Sequence, residues 1–155
     1  MGAEHQASTI SAAHNYARMA KAIERTPFMR HLGMQFIEAG DGYTKLVMRY
    51  QDENTTAGKA LHGGAVSSLI DTTGAMAAWT TAEIGSSRYF GSTVGLNVNY
   101  LSGALGEDVF AEGRVLKRGK EIIYTDVRVT NATGKLLAQG TVVYRIIDRG
   151  EPHSP

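Results

Sequence analysis

Residues 60–81, ALHGGAVSSLIDTTGAMAAWTT, form the one stretch that reads as a long helix, and the rest of the chain is organised around it. At about 100° per residue, Val66, Leu69, Ile70, Thr73, Met76 and Ala77 fall on one side. Gly64, Ser67, Ser68, Asp71, Ala75 and Ala78 fall on the other. The first face is bulky and predicts a core contact. The second is small, so a ligand or another surface can approach the backbone. Asp71 stands in the middle of this small face on a nearly uncharged segment. A buried carboxylate without a partner is costly, so Asp71 is either a working group or a carboxylate at a wet helix edge. His62-Gly63-Gly64 stands where the helix begins.

The chain has 155 residues, a one-domain length, with 43% hydrophobic and 20% charged residues. A net charge of +1 gives no electrostatic footprint for nucleic acid. There is no run of 18 apolar residues and no basic stretch before an apolar core, so neither a membrane span nor a signal peptide is expected. The absence of cysteine excludes disulfides, thiolate metal sites and a Cys nucleophile. A cytoplasmic location is the default expectation. His31, His62 and His153 show no metal-ligand spacing, so no metal is expected.

Residues 1–10 read as a frayed tail. Ser11 is a candidate cap for a helix running to Arg25, with Tyr16, Met19, Ala20 and Ile23 on one stripe. Thr26-Pro27 stops it. A short helical turn over Phe28–Leu32 precedes a strand over Met34–Ala39, a Gly40-Asp41-Gly42 turn and a strand over Tyr43–Tyr50. A polar loop, Gln51–Lys59, delivers the chain to the central helix, and Gly85 in the loop Glu83–Arg88 is its expected stop. Strands follow over Ser92–Leu101, Asp108–Lys117, Glu121–Thr130 and Lys135–Ile147. The tight turns Arg118-Gly119-Lys120 and Asn131–Gly134 join the last three. Alternation places Val94, Leu96, Val98 and Tyr100 on one face of the first of these, and Thr93, Gly95, Asn97 and Asn99 on the other. No βαβ alternation occurs, so a parallel sheet is not expected. The expected class is α+β: a curved antiparallel sheet of five or six strands wrapped around one long helix, with an extra N-terminal helix. One domain spans residues 11–148, with a tail over 149–155.

This arrangement is that of a hotdog fold. His62-Gly63-Gly64, with an acid nine residues after the His, resembles the PaaI-like acyl-CoA thioesterases of the hotdog (4-hydroxybenzoyl-CoA thioesterase-like) superfamily. TVGLNVNYL (93–101), GEDVFAEGRVLKRGKEIIYTDVRVTN (106–131) and ATGKLLAQGTVVY (132–144) look like the family's strands after the helix, so the similarity covers roughly residues 30–147. The resemblance implies that Asp71 is general base or nucleophile on the thioester. It implies that the Gly63 N–H, with Gly64 beside it, binds the carbonyl, and that Thr93 positions water. The family's loop Asn has a Gly three residues on and the motif His three further. Here Asn54 precedes Gly58 by four and Gly58 precedes His62 by four, so Gln51 competes with Asn54 for that role. No cofactor is implied, since coenzyme A belongs to the substrate.

The residues argue the same chemistry. A helix N-terminus offers free N–H groups and partial positive charge to a developing oxyanion, and such donors are worth about 3 kcal/mol of barrier. A carboxylate can activate water or attack directly. Ser67 and Ser68 lack a His and Asp at triad spacing. For His62 a structural role at the helix start competes with that of a base. Lys117, Arg118 and Lys120 are either solvated turn residues or contacts for the phosphates of coenzyme A. Gly63 and Asp71 are eight residues apart on one helix, about 12 Å along its axis at 1.5 Å per residue. Both can act on one carbonyl only if they come from different subunits, so a homodimer at least follows, with a tetramer left open. Two other readings compete: a hotdog hydratase, whose His–acid pairing is missing here, and a non-catalytic acyl-CoA-binding or regulatory module. The acyl group stays undetermined.

Overall fold

A computed structural model describes residues 16–82 and 89–150. The expected tail over 1–10, the Ser11 cap, the loop with Gly85 and residues 151–155 lie outside them. Helix α1 occupies residues 16–25 and α2 Pro27–His31. The hairpin β1 (Met34–Gly40) and β2 (Tyr43–Met48) follows. Two short 3₁₀ turns, Asp52–Asn54 and Ala57–Lys59, lead into α3 (Gly63–Trp79). Strands β3 (Tyr89–Tyr100), β4 (Val109–Arg118), β5 (Ile122–Asn131) and β6 (Leu136–Asp148) complete the chain. They form one six-stranded sheet in the order β1-β2-β4-β5-β6-β3, with every pairing antiparallel. Helix α3 packs against β2 to β6. No helix of the described residues is long and apolar enough to cross a membrane.

The amphipathic reading of α3 holds except at Ala78, which was expected on the small face but is fully buried in a cluster with Ile123, Tyr144 and Ile146. Val66, Leu69, Ile70, Thr73, Met76 and Ala77 are all buried, whereas Gly64 is exposed and Ser67, Ser68, Asp71 and Ala75 are half-buried. The helix lies unusually close to the sheet, and glycines make the room. A Cβ on Gly140 would sit 2.7 Å from Ile70 Cγ2 and 2.8 Å from the Asn97 carbonyl oxygen, and one on Gly74 would sit 2.5 Å from Val142 Cγ2. At this distance sheet hydroxyls reach helix carbonyls: Thr44 Oγ1 donates to Thr73 O at 2.9 Å and Thr125 Oγ1 to Gly74 O at 3.4 Å. These buried hydroxyls thereby gain the partners that burial demands.

Two boundaries differ from expectation for a visible reason. Strand β2 ends at Met48 instead of Tyr50, because the Tyr50 N–H donates to Asp108 Oδ1 at 2.8 Å while Arg49 bonds Asp108 Oδ2 at 2.7 Å. Helix α3 ends at Trp79, well before Gly85, because Thr80 and Thr81 hydroxyls donate to Ala77 O and Ala78 O at 2.6 and 2.7 Å and satisfy its last carbonyls. Strand β3 carries a bulge between Thr93 and Gly95. On the α1 stripe, Met19 and Ile23 are buried, and Tyr16 meets the Phe36 ring edge-on at 4.9 Å.

Gly140→Ala should lower stability by about 2 kcal/mol, within the range for overpacking, because one obstacle is backbone and cannot rotate away. Urea unfolding measures this, and a loss under ~0.5 kcal/mol would show that the helix can lift off the sheet freely.

Candidate active site

The first cluster is built at the N-terminus of α3. His62 is the N-cap, extended at φ −66° and ψ 135°, and its Nδ1 accepts the Gly64 N–H at 2.8 Å. His62 thus caps the helix, and Gly64 is explained, since a Cβ there would stand 2.9 Å from Nδ1. The His62 carbonyl accepts from Ala65 and Val66 N–H at 3.0 and 3.2 Å. Two bonds to that oxygen polarise the peptide whose N–H belongs to Gly63. Among the described residues, the Gly63 N–H meets no acceptor. It is therefore an open donor at the positive end of a 17-residue helix.

Two side chains not expected from the sequence hold this turn. Tyr100 Oη donates to Gly63 O at 3.0 Å and Ser67 Oγ donates to it at 2.9 Å, and the two hydroxyls touch each other. The Tyr100 ring covers Gly63 so closely that a Cβ would lie 3.4 Å from it.

The second cluster lies two turns along α3. Thr93 Oγ1 donates to Asp71 Oδ1 at 2.7 Å. Strict alternation had placed Thr93 and Tyr100 on opposite faces of β3, and the bulge corrects this. Thr93 pairs with Tyr144, and Leu96, Val98 and Tyr100 pair with Val142, Gly140 and Ala138. The four β6 partners share one face, so Thr93 and Tyr100 both look at α3. An inserted residue re-aims everything beyond it by one step. One strand thereby touches both ends of the site. Beside Asp71, Trp79 Nε1 donates to Tyr144 Oη at 3.0 Å. Burial pushes the Tyr144 phenol above its ordinary pKa; the Trp79 bond works against this, and the charge of Asp71 adds to it.

Of the other candidates, Asn54 is bonded to the motif by its backbone, and Lys117, Arg118 and Lys120 lie at a distant turn. Asn54 is buried, its Nδ2 donates to Leu32 O at 2.9 Å, and its carbonyl oxygen accepts the His62 N–H at 2.8 Å. Its Oδ1 has no hydrogen-bond partner. Asn54 therefore ties the loop to the motif through its backbone. Gln51 lies against Gly33, where a Cβ would meet its Nε2 at 2.3 Å. Lys117, Arg118 and Lys120 sit at the β4–β5 turn, and the Arg118 guanidinium donates to Gly119 O and Lys120 O at 2.6 and 3.1 Å. The pairings Arg118–Ile123, Ile123–Tyr144 and Tyr144–Thr93 put that turn three strands from Thr93, at the same end of the sheet.

An open N–H at a helix start and a carboxylate further along the same helix, inside a sheet that wraps it, define the class of hotdog thioesterases. Residues 58–138 match the profile of the thioesterase superfamily, and the chain belongs to that superfamily. Human acyl-coenzyme A thioesterase 13 is 41% identical over 116 residues, which cover 73% of this chain and 80% of that protein. Among solved structures, a thioesterase family protein from Silicibacter pomeroyi superposes with a TM-score of 0.77 at 26% identity, covering 86% of this chain and 98% of that one. The PaaI protein of E. coli gives 0.76 at 21% identity, covering 88% and 96%, and shares the fold.

Thr93→Ala should cut turnover about 10-fold, a loss of ~1.4 kcal/mol, while Thr93→Ser, which keeps the hydroxyl, should stay within threefold. Steady-state kcat decides it: equal losses in both variants mean that the methyl group matters and the bond to Asp71 does not.

Proposed function

We propose that this protein hydrolyses acyl-CoA thioesters as a homodimer, each active site taking Gly63 from one subunit and Asp71 with Thr93 from the other. The observation that carries the reading is a pair of open groups, the Gly63 N–H and the Asp71 carboxylate, held about 12 Å apart along one rigid helix. One carbonyl cannot meet both within a chain. The edge strand β3 supports assembly, since Val94, Leu96 and Tyr100 are 56%, 43% and 56% exposed along it. An apolar edge strand is a template for pairing with another copy.

In this reading the thioester oxygen accepts the Gly63 N–H. The carboxylate, fixed through Oδ1 by Thr93, takes a proton from water through its other oxygen. The water oxygen adds to the carbonyl carbon, and the tetrahedral intermediate expels the thiolate of coenzyme A. That thiolate recovers the proton from the Asp71 carboxyl group. The thiol is a good leaving group, so no further acid is required. A direct attack by Asp71 is the competing route. A single turnover in ¹⁸O-labelled water, followed by mass analysis of product and protein, tests them: label in Asp71 with unlabelled first product establishes the direct route through an anhydride opened at the Asp71 carbonyl, whereas the base route puts the label in the product and none in Asp71. Lys117 and Lys120 supply charge for the phosphates of coenzyme A. Their alanine variants should raise KM for acyl-CoA several-fold and leave it unchanged for the matching N-acetylcysteamine thioester. A cytoplasmic setting goes with this reading, since coenzyme A thioesters are intracellular metabolites.

A thiol-trapping assay tests the activity. Asp71→Asn should fold and lose at least ~100-fold in turnover. Acyl-CoA binding without thiol release by the unaltered protein would instead establish the non-catalytic module. Subunit mixing tests the shared site. Asp71→Asn and Gly63→Val, each nearly inactive alone, should regain activity in a mixed dimer, because one of its two sites carries neither lesion. If exchange is confirmed by mass and no activity returns, each subunit holds a complete site of its own.

A further inference from the structure

The open donor belongs to Gly63, and glycine is the residue least able to hold a direction by itself. The peptides on both sides of it are held by other groups. The His62 carbonyl before it accepts from Ala65 and Val66 N–H at 3.0 and 3.2 Å. The Gly63–Gly64 peptide after it is clamped at both ends. Its N–H donates to His62 Nδ1 at 2.8 Å, and its oxygen accepts from Tyr100 Oη at 3.0 Å and Ser67 Oγ at 2.9 Å. Hydrogen bonds at the two ends of one peptide polarise each other. His62, Ala65, Val66 and Ser67 belong to α3 or its cap and turn with it. Among these partners, Tyr100 alone comes from the sheet.

The Tyr100 side chain is engaged in a way that favours holding over substrate contact. A phenol carries one proton, and the Gly63 oxygen takes it. None is left for the oxygen of a bound thioester. The ring lies against the same glycine, since a Cβ on Gly63 would meet Cε1 and Cζ at 3.4 Å. The hydroxyl thus fixes the carbonyl while the ring blocks one side of the residue. Strand β3 also carries Thr93, whose hydroxyl holds Asp71 Oδ1 at 2.7 Å. Both reactive groups of α3 are therefore held from outside the helix by side chains of one strand.

We propose that Tyr100 is a positioning residue for the hydrolysis: through the Gly63–Gly64 peptide, its hydroxyl fixes the direction of the Gly63 N–H. The proposal rests on the acyl-CoA hydrolase reading above, in which that N–H receives the thioester oxygen. A donor free to swing has to be brought into line as negative charge develops, and a donor fixed beforehand does not. The gain falls on the chemical step. Ground-state binding is spread over the whole acyl-CoA, so Tyr100 acts on kcat and leaves KM alone.

The test has two arms, both built on Tyr100→Phe. That change removes one hydroxyl from a side chain that is 56% exposed and leaves the ring, so the fold is kept. In the first arm, the best substrate among acetyl-, octanoyl-, palmitoyl- and phenylacetyl-CoA is used, with subunit assembly confirmed by mass in the same solution. Here kcat should fall about 10-fold, the worth of one hydrogen bond, while KM stays within about twofold. Tyr124→Phe is the control. Tyr124 is exposed between the buried Ile123 and Thr125, on the face of β5 away from α3, and its change should alter neither constant. In the second arm, ¹⁵N relaxation follows the Gly63 amide without ligand. Its order parameter should be that of rigid backbone, about 0.85, in the unaltered protein and lower by ~0.1 or more in Tyr100→Phe. An unchanged kcat overturns the proposal. A rise in KM at constant kcat also overturns it, because Tyr100 is then a wall of the substrate site. So does a Gly63 amide equally ordered in both proteins. Should no acyl-CoA release thiol at all, the hydrolase reading fails, and the amide order still decides whether Tyr100 holds Gly63.

Discussion

The structure depends on how near α3 comes to the sheet that wraps it. Gly140, Gly74 and Gly113 remove side chains from the contact, and Ile70, Val142 and Thr73 fill the space those side chains would take. At that separation the threonines of β2 and β5 bond helix carbonyls directly. A helix so held cannot rotate without breaking close contacts on several strands, and dense packing resists continuous deformation. The direction in which Asp71 points is thus set by glycines of the helix–sheet contact, among them Gly74 three residues along the same helix. The small outer face of the same helix stays uncovered because the bulky side chains are all spent on the inner one.

The same rigidity acts on the N-terminal turn. His62 takes one first-turn N–H, and Tyr100 and Ser67 fix the carbonyl of Gly63. What is left is one donor with a fixed direction, which suits a group that must be in place before negative charge develops. A histidine here is more useful as a cap than as a base. Its Nδ1 lone pair is already engaged with Gly64, so a proton taken at that nitrogen would cost the helix its cap.

The fold was largely legible in the sequence because its signals are local. The 3.6-residue period of α3, the Gly-rich turns and the alternating strands each depend on a few neighbouring residues. Asp71 and Gly63 were legible as candidates from residue type and spacing, and Thr93 only through the resemblance of its strand to the family's. Tyr100 was not, and the reason is specific: a bulge costs one residue of register, and nothing in STVGLNVNY marks which residue is extra. Without the bulge, Thr93 and Tyr100 fall on opposite faces, and their joint attachment to α3 cannot be inferred. The end of α3 was misplaced for a similar reason. A glycine stop was expected, but two threonine hydroxyls satisfied the last carbonyls first. Asn54 illustrates a third limit, since its bond to Leu32 joins elements 22 residues apart and leaves no local pattern.

Strand β3 links these observations to assembly. It touches α3 at both clusters, and it is also one of the two edge strands of the sheet. Any copy that pairs along this edge is brought up near the small face of α3, where Asp71 and Gly63 are half-buried. Pairing would also remove water from both. Electrostatic stabilisation by an N–H is modest in water and grows as the local dielectric falls, so the Gly63 donor gains strength when the edge is covered. In the proposed dimer, catalytic competence and subunit association draw on the same surface. If that dimer forms, a substitution that weakens pairing at Val94 or Leu96 acts on turnover through the assembly and not through a direct change at the carboxylate.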